Sequence, residues 1–386
     1  MIYFDNNSTT RVFDSVEESM RPFLTARYSN PSSAIARFDG IPQVIDAEKS
    51  RLCQMLGADT PDQFVITSGA TESNNLAILG AARINRHKRH IVISSIEHPS
   101  VLETAAALRE DGYRITLLPV RGDGTIDKQE LALSLCPDTL LVSIMMANNE
   151  SGVLQPITTL ATTVKERDPS ILFHSDATQA VGKLTVDLAT DLGDIDLLSF
   201  SAHKFHGPKG VGALFVRDRI AISPILHGGG QQNGIRSGTE NPAGIVGMVT
   251  ALAIIMRDMG WTNKIRELRD HLESRIHAIH PSAFILGAAA ERLPTTTYVC
   301  LPGIDGDDLV DRLAARNIAI STGSACSFGS IRPSHVALAH GLSYEHAKSC
   351  IRLSLSMETT EEEVELFLRD FEELVVQSNH RMEIGT

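Results

Sequence analysis

A mostly parallel α/β sheet flanked by helices, followed by a smaller α+β domain at the C-terminus, is the fold that three observations predict. Apolar runs alternate with helical stretches from about residue 63 to 216, the pattern of successive β-α-β units. Some runs are apolar throughout, Leu140-Leu-Val-Ser-Ile-Met-Met146 above all, as expected of a strand covered on both faces. Five of the segments end in polar or titratable groups, Thr71, His98, Asn149, Asp176 and Lys204. Open α/β sheets keep their ligands at such strand ends, so five groups on one edge make a pocket.

The totals bound the function. A chain of 386 residues, 42% hydrophobic and 21% charged, suits two domains or one large and one small. A net charge of -12 argues against nucleic acid or an anionic membrane as main partner. No apolar run reaches membrane-spanning length, and Met1-Ile-Tyr-Phe-Asp5 carries no basic-then-apolar signal, so a cytoplasmic protein is expected. Five cysteines, Cys53, Cys136, Cys300, Cys326 and Cys350, form no CxxC pair. That argues for free thiols in a reducing compartment and against a zinc site.

In chain order, residues 1–13 read as an extended arm with the turn-forming Asp5-Asn-Asn-Ser-Thr-Thr10. Helices follow over Ser15–Leu24 and Pro42–Leu56, either side of the turn Asn30-Pro-Ser-Ser33, and the first strand is Gln63–Thr67. Ser68-Gly-Ala-Thr-Glu-Ser-Asn-Asn75 then turns into a helix at Leu76–Ala82. Strand, glycine turn and helix aim free N–H groups at an anion, although no Gly-Lys-Ser/Thr of a P-loop is present. Strands are predicted at His90–Ser95, Ile115–Pro119, Leu140–Met146, Ile171–Asp176, Ile195–Phe200 and Gly212–Val216, with a helix over Ser100–Arg109.

Beyond the glycine-rich stretch His227 to Pro242, helical sequence runs over Ala243–Met256 and Trp261–Ile279. Strands Thr296–Leu301 and Ile318–Ser321 and helices Asp307–Ala315 and Tyr344–Ser349 make the smaller domain. Thr360-Glu-Glu-Glu363 is a capping box that opens a last helix with Val364, Phe367, Leu368, Phe371 and Leu374 inward. The expected division is a large domain over 14–257 and a small one made of 1–13 with 258–386.

Two residues stand out. Lys204 closes a buried strand among polar donors, where a lysine of lowered pKa serves as an amine nucleophile. Cys326 lies in Ser321-Thr-Gly-Ser-Ala-Cys-Ser-Phe-Gly-Ser-Ile-Arg-Pro333, a mobile loop over about 321–334 too small and polar to bury a thiol. Cys53 and Cys300 fit core positions. Arg352, in an apolar run, needs an anion, either a structural carboxylate or that of a substrate. A Schiff-base lysine, a phosphate cradle and an acid at a neighbouring strand end together fit pyridoxal phosphate. Asp176 would face the pyridine nitrogen, Gln179 the ring oxygen, and His98 would stack and move protons.

On these stretches the chain resembles the NifS/IscS cysteine desulfurases, fold type I pyridoxal phosphate enzymes of the class V aminotransferase group. The matching segments are Tyr3-Phe-Asp-Asn-Asn7, Asn30-Pro-Ser-Ser33, Ser68–Asn75, Glu97-His98, Asn148-Asn-Glu150, His174-Ser-Asp-Ala-Thr-Gln179, Ser199-Phe-Ser-Ala-His-Lys204, Gly207-Pro-Lys-Gly210, Arg236-Ser-Gly-Thr239 and Gly323-Ser-Ala-Cys326.

The resemblance implies that Lys204 carries the cofactor and that Ala70, Thr71, Ser201 and His203 bind its phosphate. Thr239 would reach the phosphate of a neighbouring subunit, hence a homodimer. Asn149 would touch the cofactor as well, and Asn30, Asn149 and Arg352 would hold L-cysteine. Cys326 would take its sulfur as a persulfide, leaving alanine, and pass it to an acceptor protein. No metal site is implied, beyond Cys326 as a transient cluster or sulfur ligand. Selenocysteine lyases and aminotransferase-like relatives would use Lys204, Asp176 and His98 equally well, and a sulfur-relay platform is a further alternative. The acceptor pathways open to it are iron–sulfur cluster assembly, tRNA thiolation and DNA phosphorothioation. Ile35 stands where the family usually has histidine and Arg332 where an acid is common.

Overall fold

A computed structural model describes residues 1–323 and 333–384, with side chains as far as residue 377. The chain opens with a two-residue strand, β1 (Ile2–Tyr3). The central sheet is built from β2 (Phe64–Thr67), β3 (His90–Ser94), β4 (Arg114–Leu118), β5 (Thr139–Ser143), β6 (Leu172–Asp176), β7 (Leu197–Ser201) and β8 (Gly212–Val216). Its strand order is β2-β8-β7-β6-β5-β3-β4. The pairs β3–β4, β3–β5, β5–β6 and β6–β7 are parallel. β8 runs antiparallel to both β7 and β2. β2 therefore points the same way as β7, and the carboxyl ends of β2, β3, β5, β6 and β7 share one edge. That edge is where the sequence puts its candidate groups.

The strands other than β4 are buried along their length because both faces are covered, whereas β4 at the sheet edge is partly exposed. Successive residues point to opposite sides. Ile66, Val92, Val142, Phe173, Leu198 and Phe215 enter one apolar cluster, with Ile245, Met248 and Leu252 of the helix Pro242–Met256. Val65, Ile91, Leu141, Leu172, Leu197 and Leu214 enter the other, against the helices Ala70–Ile84 and Pro99–Glu110. Cutting the fully buried Phe173 to alanine would cost about 3–5 kcal/mol.

The smaller domain holds β9 (Phe284–Ile285), β10 (Thr296–Cys300), β11 (Ile318–Ala319) and β12 (Cys350–Ser354). β10 pairs antiparallel with β9 and β12, and β11 pairs parallel with β1. Phe4 of the N-terminal arm sits in the same cluster as Ile265, Leu272, Val299, Leu353 and Phe367. The last helix, Glu361–Ile384, opens on the expected box, with Thr360 N donating to Glu363 Oε2 (2.9 Å) and Glu363 N to Thr360 Oγ1 (3.2 Å). Val364, Phe367, Leu368, Phe371 and Leu374 are all buried. Among the described residues no single helix is long and apolar enough to cross a membrane.

One boundary differs in a way that matters. The helix expected from Leu76 starts at Ala70. Gly69 holds φ 148°, a conformation that disfavours a side chain, and caps the helix directly. Ser73 and Asn74 are buried within its first turns instead of lying in a loop. β5 also ends at Ser143, short of Met146, although Ile144 N and Met146 N still bond His174 O and Asp176 O of β6 at 3.1 and 2.9 Å.

Candidate active site

A cavity of about 720 Å³ opens at this carboxyl edge. Thr71, His98, Asn149, Asp176 and Lys204, the five strand-end groups, all line it. So do Ala70, Gln179, Ser201, His203 and Arg352.

One end is shaped for an anion. The helix Ala70–Ile84 points its N-terminus into the cavity with no side chain capping it, so its first N–H groups face a ligand. A Cβ on Gly69 would lie 3.4 Å from Ser201 Oγ, inside the cradle. Close packing also keeps Gly212 bare, since a Cβ there would come within 2.8 Å of Gly69 Cα. Burial, with Lys204 and Lys209 nearby, pushes the His203 imidazole down to about 3, so the ring is neutral. The acid in this turn, Glu72, is paired by Arg236 at 2.7 and 3.1 Å.

The middle of the cavity holds a relay of hydrogen bonds. Asn74 Nδ2 donates to Asp176 Oδ2 and to Ser100 Oγ, each at 2.8 Å. Ser100 Oγ lies 2.8 Å from His98 Nδ1, which also accepts from Ser100 N at 3.1 Å. With Nδ1 accepting, the neutral ring carries its hydrogen on Nε2. Burial lowers the His98 pKa, the Asp176 charge opposes this, and Lys204 and His335 add to the lowering. Thr178 N donates to Asp176 Oδ1 at 2.9 Å, so both carboxylate oxygens are held.

Lys204 Nζ donates to Asn7 O and Ser8 O, both at 2.7 Å. Gln179 Nε2 donates to the same Asn7 O at 2.9 Å. The N-terminal arm is thus a wall of the site.

Arg352 is nearly fully buried and finds its anion in Asp5, at 2.6 Å. It also donates to Ser8 Oγ (2.7 Å) and to Asn149 O (3.0 Å). Those contacts take three of its five N–H groups. Nε, one of the other two, is buried without a partner among the described residues.

Two expected residues lie elsewhere. Asn30 is exposed, outside the cavity, and accepts from Ser32 N at 3.0 Å within its own turn. Thr239 is exposed on the glycine-rich loop and also stands outside the chain's own cavity. Cys326 and Arg332 lie outside the described residues. The other thiols are free, Cys53, Cys300 and Cys350 buried and Cys136 half-buried. Asn74, Ser100, Asn7 and Asp5 were not singled out by the sequence as site residues. A signal existed for Asn74, which lies three residues after Thr71 and so on the same helix face.

The family model described as "Aminotransferase class-V" matches residues 2–367. The chain belongs to the class-V aminotransferase family. Within it the chain falls among the cysteine desulfurases. It is 39% identical to "Cysteine desulfurase NifS" of Azotobacter vinelandii over 97% of this chain and 93% of that one. A solved "NIFS-LIKE PROTEIN" superposes with a TM-score of 0.91 at 37% identity, covering 97% of this chain and 99% of that chain. "SspA in complex with cysteine" matches with a TM-score of 0.80 at 36% identity, covering 93% and 100% of the two chains.

Enzymes of this group depend on pyridoxal phosphate, and the residues present fit it. The glycine-lined, uncapped helix N-terminus suits a phosphate. Asp176 offers a carboxylate in the middle of the cavity and Lys204 an amine. Arg352 adds a guanidinium to the lining, beside Asp5.

Proposed function

We propose that this cavity removes sulfur from L-cysteine, giving L-alanine and a persulfide on Cys326. The observation that carries the reading is the relay Asp176–Asn74–Ser100–His98 beside Lys204, lodged in one cavity with an anion cradle. It supplies a fixed acid, a proton-handling imidazole and an amine at one place. Bound pyridoxal phosphate supplies an electron sink that weakens bonds near the substrate's amino group.

Lys204 carries the cofactor. Ala70, Thr71, Ser201 and His203 hold the phosphate, Asp176 keeps a proton on the pyridine nitrogen, and Gln179 donates to the ring oxygen. Neutral His98 stacks on the ring and handles a proton at Nε2. Arg352 and Asn149, both in the cavity lining, hold the substrate carboxylate. The Cys326 thiolate attacks the substrate sulfur. The carbon–sulfur bond breaks, a sulfur–sulfur bond forms, and the carbon takes a proton, so one cysteine and one thiol become one alanine and one persulfide.

The persulfide sulfur then passes to an acceptor protein, for iron–sulfur cluster assembly or another sulfur-transfer route. Thr239, exposed on its loop, supports a homodimer in which it completes the partner's phosphate site. Four free thiols support a reducing, cytoplasmic setting. The purified enzyme with L-cysteine, pyridoxal phosphate and a thiol reductant should form alanine and sulfide in equal amounts. Alanine without sulfide, or neither product, would overturn the reading.

A further inference from the structure

Lys183 is an unexpected residue to find behind the cavity. It is 5% exposed and does not line the cavity itself. The chain leaves β6 through two tight turns, and Gly182, at φ 81°, lets the second one press against Phe205. A Cβ at 182 would come within 2.6 Å of Phe205 Cβ. The turns bring Lys183 under Gln179, four residues earlier.

There Lys183 Nζ donates to Gln179 Oε1 and, at 3.0 Å, to Asn7 Oδ1. Burial drives its pKa well below the ordinary value, and the charges of Lys204 and Arg352 push the same way. The amine carries at least two hydrogens in either charge state, and it faces two oxygens. The amide of Gln179 is thereby oriented. Its oxygen is turned back onto Lys183, and its nitrogen faces forward. One Nε2 hydrogen goes to Asn7 O at 2.9 Å, and the second is left for an acceptor. Asn7 is fixed in turn, with Nδ2 donating to Thr296 Oγ1 (2.9 Å) and Asn149 O (3.1 Å). Its carbonyl receives both Gln179 and Lys204.

We infer that Lys183 is a positioning residue: it locks the Gln179 amide so that a cofactor ring oxygen meets an N–H donor and never a carbonyl. The inference rests on the cofactor reading above and assigns a role to a side chain that touches neither cofactor nor substrate. Without Lys183 the amide can turn over, and two oxygens would then face each other.

The test compares wild type, Lys183→Met, Gln179→Leu and the double variant by equilibrium dialysis with pyridoxal phosphate. Lys183→Met keeps the side-chain length but leaves two buried acceptors without their donor, so melting curves of the cofactor-free proteins establish that each variant is folded. Lys183→Met should weaken binding about tenfold, the worth of one good hydrogen bond. Gln179→Leu should do much the same, and the double variant should be no weaker than either. Lys183→Arg, which keeps the donors, should restore most of the affinity.

The visible band of the bound cofactor gives a second readout. Lys204, Arg352, Asp5, Asp176 and His98 line the same cavity and are common to all the proteins. Loss of the N–H donor makes the ring oxygen a stronger base, so the pH midpoint of the band should rise in Lys183→Met. Wild-type affinity and midpoint in Lys183→Met, or losses that multiply in the double variant, overturn the inference and leave the cofactor reading standing. A wild type that binds no pyridoxal phosphate overturns both.

Discussion

Asn74 and Asp176, 102 residues apart in sequence, are joined by a hydrogen bond of 2.8 Å. The second Asn74 hydrogen goes to Ser100, and through it the acid and His98 are held in one frame. Asn74→Ala should therefore leave the cofactor bound but misplace both groups. A loss of about 1–3 kcal/mol in kcat/KM for alanine formation is expected, the cost of leaving buried partners unsatisfied. Unchanged kinetics would show that Asp176 and Ser100 need no bridge.

Lys204→Ala removes the only lysine nitrogen assigned to the cofactor, although Lys183 lies close behind it. The yellow absorbance seen with pyridoxal phosphate should vanish in this variant. Persistence of the band would mean that another amine carries the cofactor.

Arg352 is buried between an internal carboxylate, Asp5, and the cavity. Arg352→Ala should raise the KM for cysteine, at a cost of about 2–5 kcal/mol for losing a buried charged pairing. Asp5→Asn keeps a neutral oxygen at the guanidinium and should raise KM far less. A KM that stays the same in Arg352→Ala would assign the arginine to Asp5 alone.

Glu97 sits wholly buried beside this centre. Burial pushes its carboxyl from 4.5 up to about 8, against the pull of hydrogen bonds from Ser94 and Met145 and with a smaller push from Asp176. Between those two values the folded chain keeps a proton that the unfolded chain has released, so stability falls as pH rises through the window. Glu97→Gln removes that dependence. Its melting temperature relative to wild type should climb from about pH 5 to about pH 8. A constant difference would show that Glu97 does not titrate in that range.

Much of the fold was legible because the physical signals were local. Unbroken apolar runs marked strands covered on both faces, and Thr360 with Glu363 marked a helix start. The start at Ala70 was missed because polar Ser73 and Asn74 read as loop, while their buried partners lie on other elements. The strand-end groups could be listed from sequence, but what fixes them could not. Asp5 meets Arg352 across 347 positions, and Asn7 meets Lys183 across 176. Such contacts leave no periodicity behind. Asn30 shows the converse, since motif membership gave it a role that this chain's own cavity does not use.

The enzyme loaded with pyridoxal phosphate would be mixed with L-cysteine in the absence of reductant, and its peptides weighed by mass spectrometry. One extra sulfur atom should appear on the peptide that carries Cys326, removable by a thiol, and be absent in Cys326→Ser. Alanine formed at the wild-type rate by Cys326→Ser, with the added sulfur on Cys136 or on no cysteine at all, would contradict the account.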